Sequence, residues 1–403
     1  MRYHSVAMIQ RDLQPHLIDV ASRHPVVTLT GPRQSGKTTI CRAAFPQMTY
    51  ASLEPPDQQE YARTDPRGFL GRFLAGAVID EIQRAPSLLS YIQESVDSNP
   101  APGRFILTGS QNLGLLAGVT QTLAGRSALL KLLPLAMAEV RRFPKPPQSL
   151  DEVLLTGGYP RIFDRNLPAA EWIASYVATY VERDVRQVLQ VGDLLAFQTF
   201  LRMCAGRSGQ LLNLSGLGAE CGITHATARS WISVLEATYI AFRLPPLHVN
   251  IGKRLIKTPK LYFYDTGLLC YLLGIREPGQ LELHPLRGAI FESWVASEIF
   301  KIYANRGETP SMFFYRDRSG TEVDFVIDRG SKILAVEVKA GRTPSSGYFS
   351  ALDQLRHSLE SKRATRSKPV HAIVVYGGEE AQKRSMGELL PWSGLAAFSW
   401  TGN

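Results

Sequence analysis

One stretch of this chain constrains its fold more than any other: a short apolar run that leads directly into a glycine-framed loop. Pro25-Val26-Val27-Thr28-Leu29-Thr30 reads as a buried strand. Gly31-Pro32-Arg33-Gln34-Ser35-Gly36-Lys37-Thr38 follows at once and fits GxxxxGK[ST]. Thr39-Ile40-Cys41-Arg42-Ala43-Ala44 then opens a helix. The glycines let the backbone wrap close to a phosphate. Successive N–H groups and the helix N-terminus face the anion. Lys37 supplies positive charge to the β- and γ-phosphates, and the Thr38 hydroxyl suits Mg²⁺. Gly31 to Thr39 is therefore the expected binding loop for ATP with Mg²⁺, in an α/β fold.

Such a loop predicts a second strand that ends in acid, and Ala77-Val78-Ile79-Asp80-Glu81 supplies it. Asp80 at the strand's C-terminal end is placed to hold Mg²⁺ through water. Glu81 is placed to polarise the attacking water as general base. A third strand, Arg104-Phe105-Ile106-Leu107-Thr108-Gly109-Ser110, also ends in polar residues. Ser110, Gln111 and Asn112 are candidates for sensing the γ-phosphate. In Leu123-Ala124-Gly125-Arg126, Arg126 could stabilise charge on the transferring phosphoryl group, in its own subunit or across an interface.

A chain of 403 residues is expected to hold two or three domains. With 44% hydrophobic and 20% charged residues it has an ordinary globular composition. No apolar run approaches the ~18 residues of a spanning helix, so no membrane partner is expected. Met1 to Asp12 has no apolar core and does not read as a signal peptide. The four cysteines are scattered without metal spacing, which suits reduced thiols and a cytoplasmic location. The net charge of +9 suits a polyanionic partner such as DNA. The proline-rich run Arg141–Pro147 reads as one domain joint, and Glu277–Gln280 as a second.

The order of these motifs resembles AAA+ ATPases, and more narrowly a bacterial and archaeal AAA+-type family with a long C-terminal region. Gly31–Thr39, Ala77–Glu81, Leu107–Ser110, Leu123–Arg126 and Gly157-Gly158-Tyr159-Pro160 carry the resemblance, with the C-terminal block below. It implies a central parallel sheet in which the P-loop strand is flanked by the Asp80 and Ser110 strands. It also implies that Arg126 is the arginine finger or sensor, and that the chain forms a ring or other homo-oligomer.

Residues 214–236 have helix-turn-helix character. Gly222 permits the turn, and Thr224 can cap the second helix. Ala228, Trp231, Ile232 and Leu235 recur at helical spacing as a buried stripe. His225, Thr227, Arg229 and Ser230 are left outward, where a recognition helix would meet DNA. Tyr239–Leu244 and Lys260–Tyr264 are the expected wing strands. From Phe197 to Lys260, eight basic residues (Arg202, Arg207, Arg229, Arg243, Lys253, Arg254, Lys257, Lys260) stand against Glu220 and Glu236, a balance of +6. The same module would also serve in protein packing.

The C-terminal region reads as a helix from Gly288 to Ile299 with Phe291, Trp294, Val295 and Ile299 inward. Strands starting at Phe313, Thr321 and Ile333 follow. Alternation puts Glu337 and Lys339 on one face, with Asp324 on a neighbouring strand. Two carboxylates beside a lysine suit Mg²⁺- or Mn²⁺-dependent phosphodiester chemistry. The block resembles the restriction-endonuclease-like fold, whose Asp…Glu-x-Lys signature falls here on Asp324, Glu337 and Lys339. Glu292 or Glu298 matches that fold's helical carboxylate, and Gln354 a DNA-contacting glutamine found in some relatives. The aromatic residue that sometimes follows is replaced by Ser358.

The expected division is therefore an AAA+-type ATPase domain over 1–145, a helical lid or linker over 146–195, a winged helix-turn-helix over 196–276 and a restriction-endonuclease-like domain over 277–403. The expected activity is ATP hydrolysis coupled to engagement of DNA, branched or damaged DNA included. The alternatives are an ATP-gated Mg²⁺/Mn²⁺ nuclease and a nucleotide-switched scaffold that never meets DNA.

Overall fold

The computed structural model describes residues 9–110, 119, 122–181, 194–247, 258–317, 319–361 and 368–402. Five short strands form the first sheet: β1 (Val26–Thr30), β2 (Thr49–Ser52), β3 (Ala77–Asp80), β4 (Phe105–Gly109) and β5 (Ser127–Lys131). All pair in parallel, in the order β2-β3-β4-β1-β5. Every residue of β1, β3 and β4 is buried, which is why these segments read as unbroken apolar runs and not as alternating ones.

The sheet is parallel as expected, but its order differs from the expectation. β1 is flanked by β4 and β5, and the Asp80 strand lies one place further out. The interposed β4 brings its own polar end, Thr108 to Ser110, between the P-loop and the acidic pair.

Beyond the proline-rich run, helices Leu150–Thr156, Ala169–Tyr176, Leu194–Ala205, Leu214–Glu220 and His225–Ala237 lead into β6 (Ala241–Leu244) and β7 (Lys260–Phe263), which pair antiparallel. Caps fix the helix-turn-helix. Asn213 accepts from the Gly216 N–H and Thr224 from the Thr227 N–H, while Gly222 takes a φ of +68° in the turn. Ala228, Trp231, Ile232 and Leu235 are buried as their spacing requires.

The last unit starts with helix Arg287–Ala304. β8 (Met312–Arg316), β9 (Glu322–Asp328), β10 (Ile333–Lys339), helix Ser350–Ser361, β11 (Val370–Tyr376), β12 (Gln382–Arg384) and β13 (Gly387–Pro391) follow. The mixed sheet runs β12-β13-β11-β10-β9-β8. One apolar core extends from Leu135 through Trp231 and Trp294 to Trp400. It crosses the expected joint near Glu277, where Pro278–Glu282 is a short helix with Leu281 buried. Arg287 reinforces this packing by pairing with Asp151 at 2.9 Å. Among the described residues no helix is long and apolar enough to cross a membrane.

Candidate functional site

The loop after β1 is shaped by two glycines. A Cβ on Gly31 would lie 2.1 Å from the Leu132 carbonyl oxygen, so the close approach of the two chain segments requires glycine. Gly36, at φ +92°, sits at the N-cap of helix Lys37–Ala44. Lys37 is buried, and its Nζ donates to the carbonyl oxygens of Gly31 and Pro32 at 3.0 and 2.7 Å. Burial pulls its pKa down to about 8, against the upward pull of Glu81 and Asp80.

Asp80 is held from three elements. Thr38 Oγ1 and the Tyr50 hydroxyl donate to its Oδ2 at 2.7 and 2.6 Å, and the Thr108 hydroxyl donates to Oδ1. Thr38 and Asp80 thus offer adjoining hard oxygen donors, which fits Mg²⁺. Ser35 Oγ is buried within the loop without a partner.

Glu81 has a φ of +59°, unusual for a residue with a side chain and of the kind that gathers at functional sites. That turn aims its carboxylate back toward β4. There Gln83 Nε2 donates to Oε2 at 2.5 Å and Ser110 Oγ at 3.4 Å, and Gln83 also reaches Ser110 Oγ at 3.2 Å. The structure therefore brings Lys37, Thr38, Asp80, Glu81 and Ser110 together at the C-terminal edge of the sheet. Gln111 and Asn112 lie outside the described residues.

Lys37, Thr38, Asp80 and Glu81 line a cleft of about 560 Å³, together with Arg33, Gln34, Gly36 and Thr39. Arg161 and Arg165 close it from beyond the sheet. Their position follows from Gly157-Gly158-Tyr159-Pro160. The Gly158 N–H donates to Asp265 Oδ2 at 2.7 Å, its carbonyl accepts from the Leu135 N–H at 2.7 Å, and Pro160 starts the helix that carries Arg161. Nothing in the spacing of the sequence singled out either arginine.

Arg11 also had no motif to announce it. It is buried and donates to Glu139 Oε1 at 2.8 Å, to the Ser35 carbonyl at 2.7 Å and to the Leu133 carbonyl at 2.9 Å. Glu139, fully buried, also accepts from the Asp12 and Ala136 N–H groups. Replacing Arg11 by methionine strands that carboxylate, and breaking a buried pair costs roughly 3–5 kcal/mol. The urea midpoint should fall accordingly, and ATP affinity should fall with it as the Ser35 peptide loses its tether.

Arg126 lies elsewhere. Its carbonyl accepts from the Val26 N–H at the N-terminal edge of the sheet, opposite the P-loop. Its half-exposed guanidinium pairs with Asp97, at 3.0 Å for one contact. The length of β1 separates it from the loop within this chain.

In the middle unit His225, Arg229 and Ser230 are exposed on helix His225–Ala237. Thr227 joins its hydroxyl to that of Thr224 at 2.8 Å in the cap. The expected basic surface is also smaller than its residue count. Arg207 pairs with Glu220 and Arg243 with Glu236. Lys260 is only 3% exposed and faces away into the C-terminal unit. Lys253, Arg254 and Lys257 lie outside the described residues.

In the C-terminal unit β9 and β10 pair antiparallel, with Val336 opposite Phe325, which makes Asp324 and Glu337 neighbours. Asp324 Oδ2 accepts from the Val338 N–H at 2.8 Å, and Lys339 Nζ lies 2.6 Å from Glu337 Oε1. Glu292, on helix Arg287–Ala304, faces them, and its Oε1 takes Tyr262 OH at 2.5 Å and Lys260 Nζ at 3.2 Å. Burial, then the charge of Asp324, pushes Glu292 up to about 8 and Glu337 up to about 7. Glu298 is not part of this group. It is buried beside Lys301 at 2.9 Å and accepts from the Met137 N–H at 2.7 Å. Gln354 is exposed and is held by the Thr321 hydroxyl. Among the described residues no three His, Cys, Asp or Glu side chains converge closely enough to form a metal-binding group.

Comparison with known proteins bears on the region that holds the first of these sites. Residues 23–141 match a family model described as AAA domain. Residues 147–279 and 287–395 match models described as domains of unknown function, DUF8612 and DUF4143. Uncharacterized proteins of Mycobacterium tuberculosis and Mycobacterium bovis are each 33% identical over 344 residues, covering 83% of this chain and 75% of theirs. Among solved structures, the Walker-type ATPase PABY2304 of Pyrococcus abyssi has a TM-score of 0.47 at 14% identity, covering 68% of this chain and 98% of that one. AMPPCP-bound DnaA from Aquifex aeolicus has a TM-score of 0.29 at 15% identity, covering 56% and 85%. Likenesses this distant carry no functional argument.

Proposed function

Because the chain belongs to the family of the two mycobacterial proteins and carries an AAA domain, we propose that it hydrolyses ATP and uses the nucleotide cycle to govern engagement of DNA. The observation that carries the first half is the convergence of Lys37, Thr38, Asp80 and Glu81 on one cleft, with Ser110 hydrogen-bonded to Glu81. The loop N–H groups and Lys37 bind the triphosphate, in a cleft that Arg161 and Arg165 also line. Thr38 and Asp80 would hold magnesium, which would supply positive charge against the phosphate oxygens. Glu81 draws the proton from the attacking water, and Ser110 with Gln83 holds that carboxylate in place. Arg126 acts on the nucleotide of an adjoining copy in a ring or other homo-oligomer, a reading supported by its place at the far edge of the sheet.

The DNA half rests on the capped winged-helix-like unit, with His225, Arg229 and Ser230 exposed on its second helix. Arg229→Glu tests it. Duplex, single-stranded or branched DNA should raise the parent's ATPase rate, and this variant should lose most of that rise while keeping its basal rate. Equal stimulation of both, or of neither, would favour a scaffold that binds protein.

A second reading is supported by the C-terminal cluster. The helix–three-strand–helix–strand order and the pairing of Asp324 with Glu337 beside Lys339, with Glu292 feeling the Asp324 charge, resemble a restriction-endonuclease-like domain that binds Mg²⁺ or Mn²⁺ and cuts DNA. The oxygen-rich donor set fits such an ion, since Glu337 Oε2 is buried without a partner.

A further inference from the structure

We propose that the C-terminal cluster takes a single divalent cation, at Asp324 and Glu337, and that Lys260 is a built-in cation filling the place of a second ion beside Glu292. This deepens the reading of the cluster as a divalent-ion site and rests on it.

Four carboxylates, of Glu292, Glu322, Asp324 and Glu337, lie within electrostatic reach of Lys260. Lys260 reaches them from outside their own unit, on β7 of the two-stranded sheet. Only 3% of it is exposed, and its Nζ lies 3.2 Å from Glu292 Oε1 and 2.5 Å from Glu322 Oε1. An ammonium so far removed from water persists only where anions surround it. Tyr262, two residues along the same strand and so on the same face, donates to the same Glu292 oxygen at 2.5 Å. One strand thus commits Glu292 twice.

The strand is itself fixed. Lys260 pairs with Leu244 of β6 and is bridged to Leu211 on its other side. The extension of β6 is joined to the large sheet, with the Leu247 N–H on the Phe314 carbonyl at 2.7 Å. The ammonium therefore has no easy exit. Glu292 Oε1 is thus committed to Lys260 and Tyr262.

The opposite half of the cluster differs. Glu337 gives one oxygen to Lys339 at 2.6 Å, and its other oxygen is buried without a partner, on a residue 8% exposed. Asp324 stands beside it, committed through Oδ2 to a backbone N–H. Magnesium-like ions are commonly held through one or two carboxylates, with water completing the shell. Asp324 and Glu337 can supply that much and no more.

The test is Mn²⁺ titration of the full chain by isothermal calorimetry, with free Mn²⁺ followed by electron paramagnetic resonance. No nucleotide is added, and every arm carries Asp80→Asn so that metal at the P-loop is not counted. The parent should take up one ion, Lys260→Met two, and Glu337→Gln none. A parent that binds two ions, or a Lys260→Met chain that still binds one, overturns the role of Lys260 and leaves the cluster a metal site. A parent that binds none overturns the metal reading itself. Lys260→Met leaves buried carboxylates unpaired and is expected to melt early, so its thermal midpoint gives a second readout. Mn²⁺ should raise that midpoint further than it raises the parent's. An equal or smaller rise contradicts the proposal.

Discussion

A Glu81→Gln chain retains ATP as tightly as the parent and hydrolyses it about 10²- to 10⁴-fold more slowly, the range that a positioned general base contributes. The substitution preserves size and hydrogen-bonding shape, so Gln83 and Ser110 keep a partner at the same place. The unusual backbone at this residue is kept as well, because glutamine tolerates it no worse than glutamate does. Only the capacity to take a proton is lost. Equilibrium binding of a labelled nucleotide and steady-state phosphate release, measured on the same sample, separate the two effects. A variant that hydrolyses at the parent's rate would remove Glu81 as the base.

Lys37→Ala acts one step earlier. The lysine is buried beneath the loop and within reach of its carbonyl oxygens, where a triphosphate would otherwise face desolvated peptide groups alone. A hydrogen bond to a charged group contributes roughly 1.5–3 kcal/mol. Affinity for ATP should therefore fall by about 10- to 150-fold. The loop itself should survive, because Arg11 still holds the Ser35 carbonyl and Gly36 still starts the helix. A thermal midpoint close to the parent's, alongside the lost affinity, would locate the effect at the ligand. Parent-like affinity would show that the nucleotide is gripped elsewhere.

Much of the nucleotide site was legible because its chemistry is local in sequence. Gly31 to Thr39 is one continuous loop, and Asp80 and Glu81 end an apolar strand, so spacing alone exposed them. Thr108 and Ser110 could be approached in the same way, as polar residues at the end of a third strand. Arg11, Tyr50 and Arg161 could not. Each reaches the site through tertiary packing, from a loop, a neighbouring strand and a short helix, and no local period marks any of them. The order of the strands was hidden for the same reason. Nothing in the runs at 77–80 and 105–109 says which pairs with β1, and the choice of β4 depends on how the intervening helices pack.

Lys260 shows the opposite difficulty. Counted along the chain it belongs to a basic stretch, but in the fold it is an interior cation among acids. Arg207 and Arg243 likewise spend their charge on Glu220 and Glu236. A linear tally of charge cannot distinguish a surface patch from ion pairs made across an interface. The Asp324–Glu337–Lys339 arrangement was readable because strand alternation is strict. The choice between Glu292 and Glu298 was not. The two are six residues apart on one helix, and packing on both sides of that helix decides which meets the cluster.

The central claim is that the cleft at the end of β1 binds and turns over ATP. Filter retention of labelled ATP by the purified full chain in magnesium buffer, followed by phosphate release from the retained complex, tests it most directly. The account predicts saturable retention of a single nucleotide per chain, released as ADP and phosphate. No retention at any practical ATP concentration would contradict it.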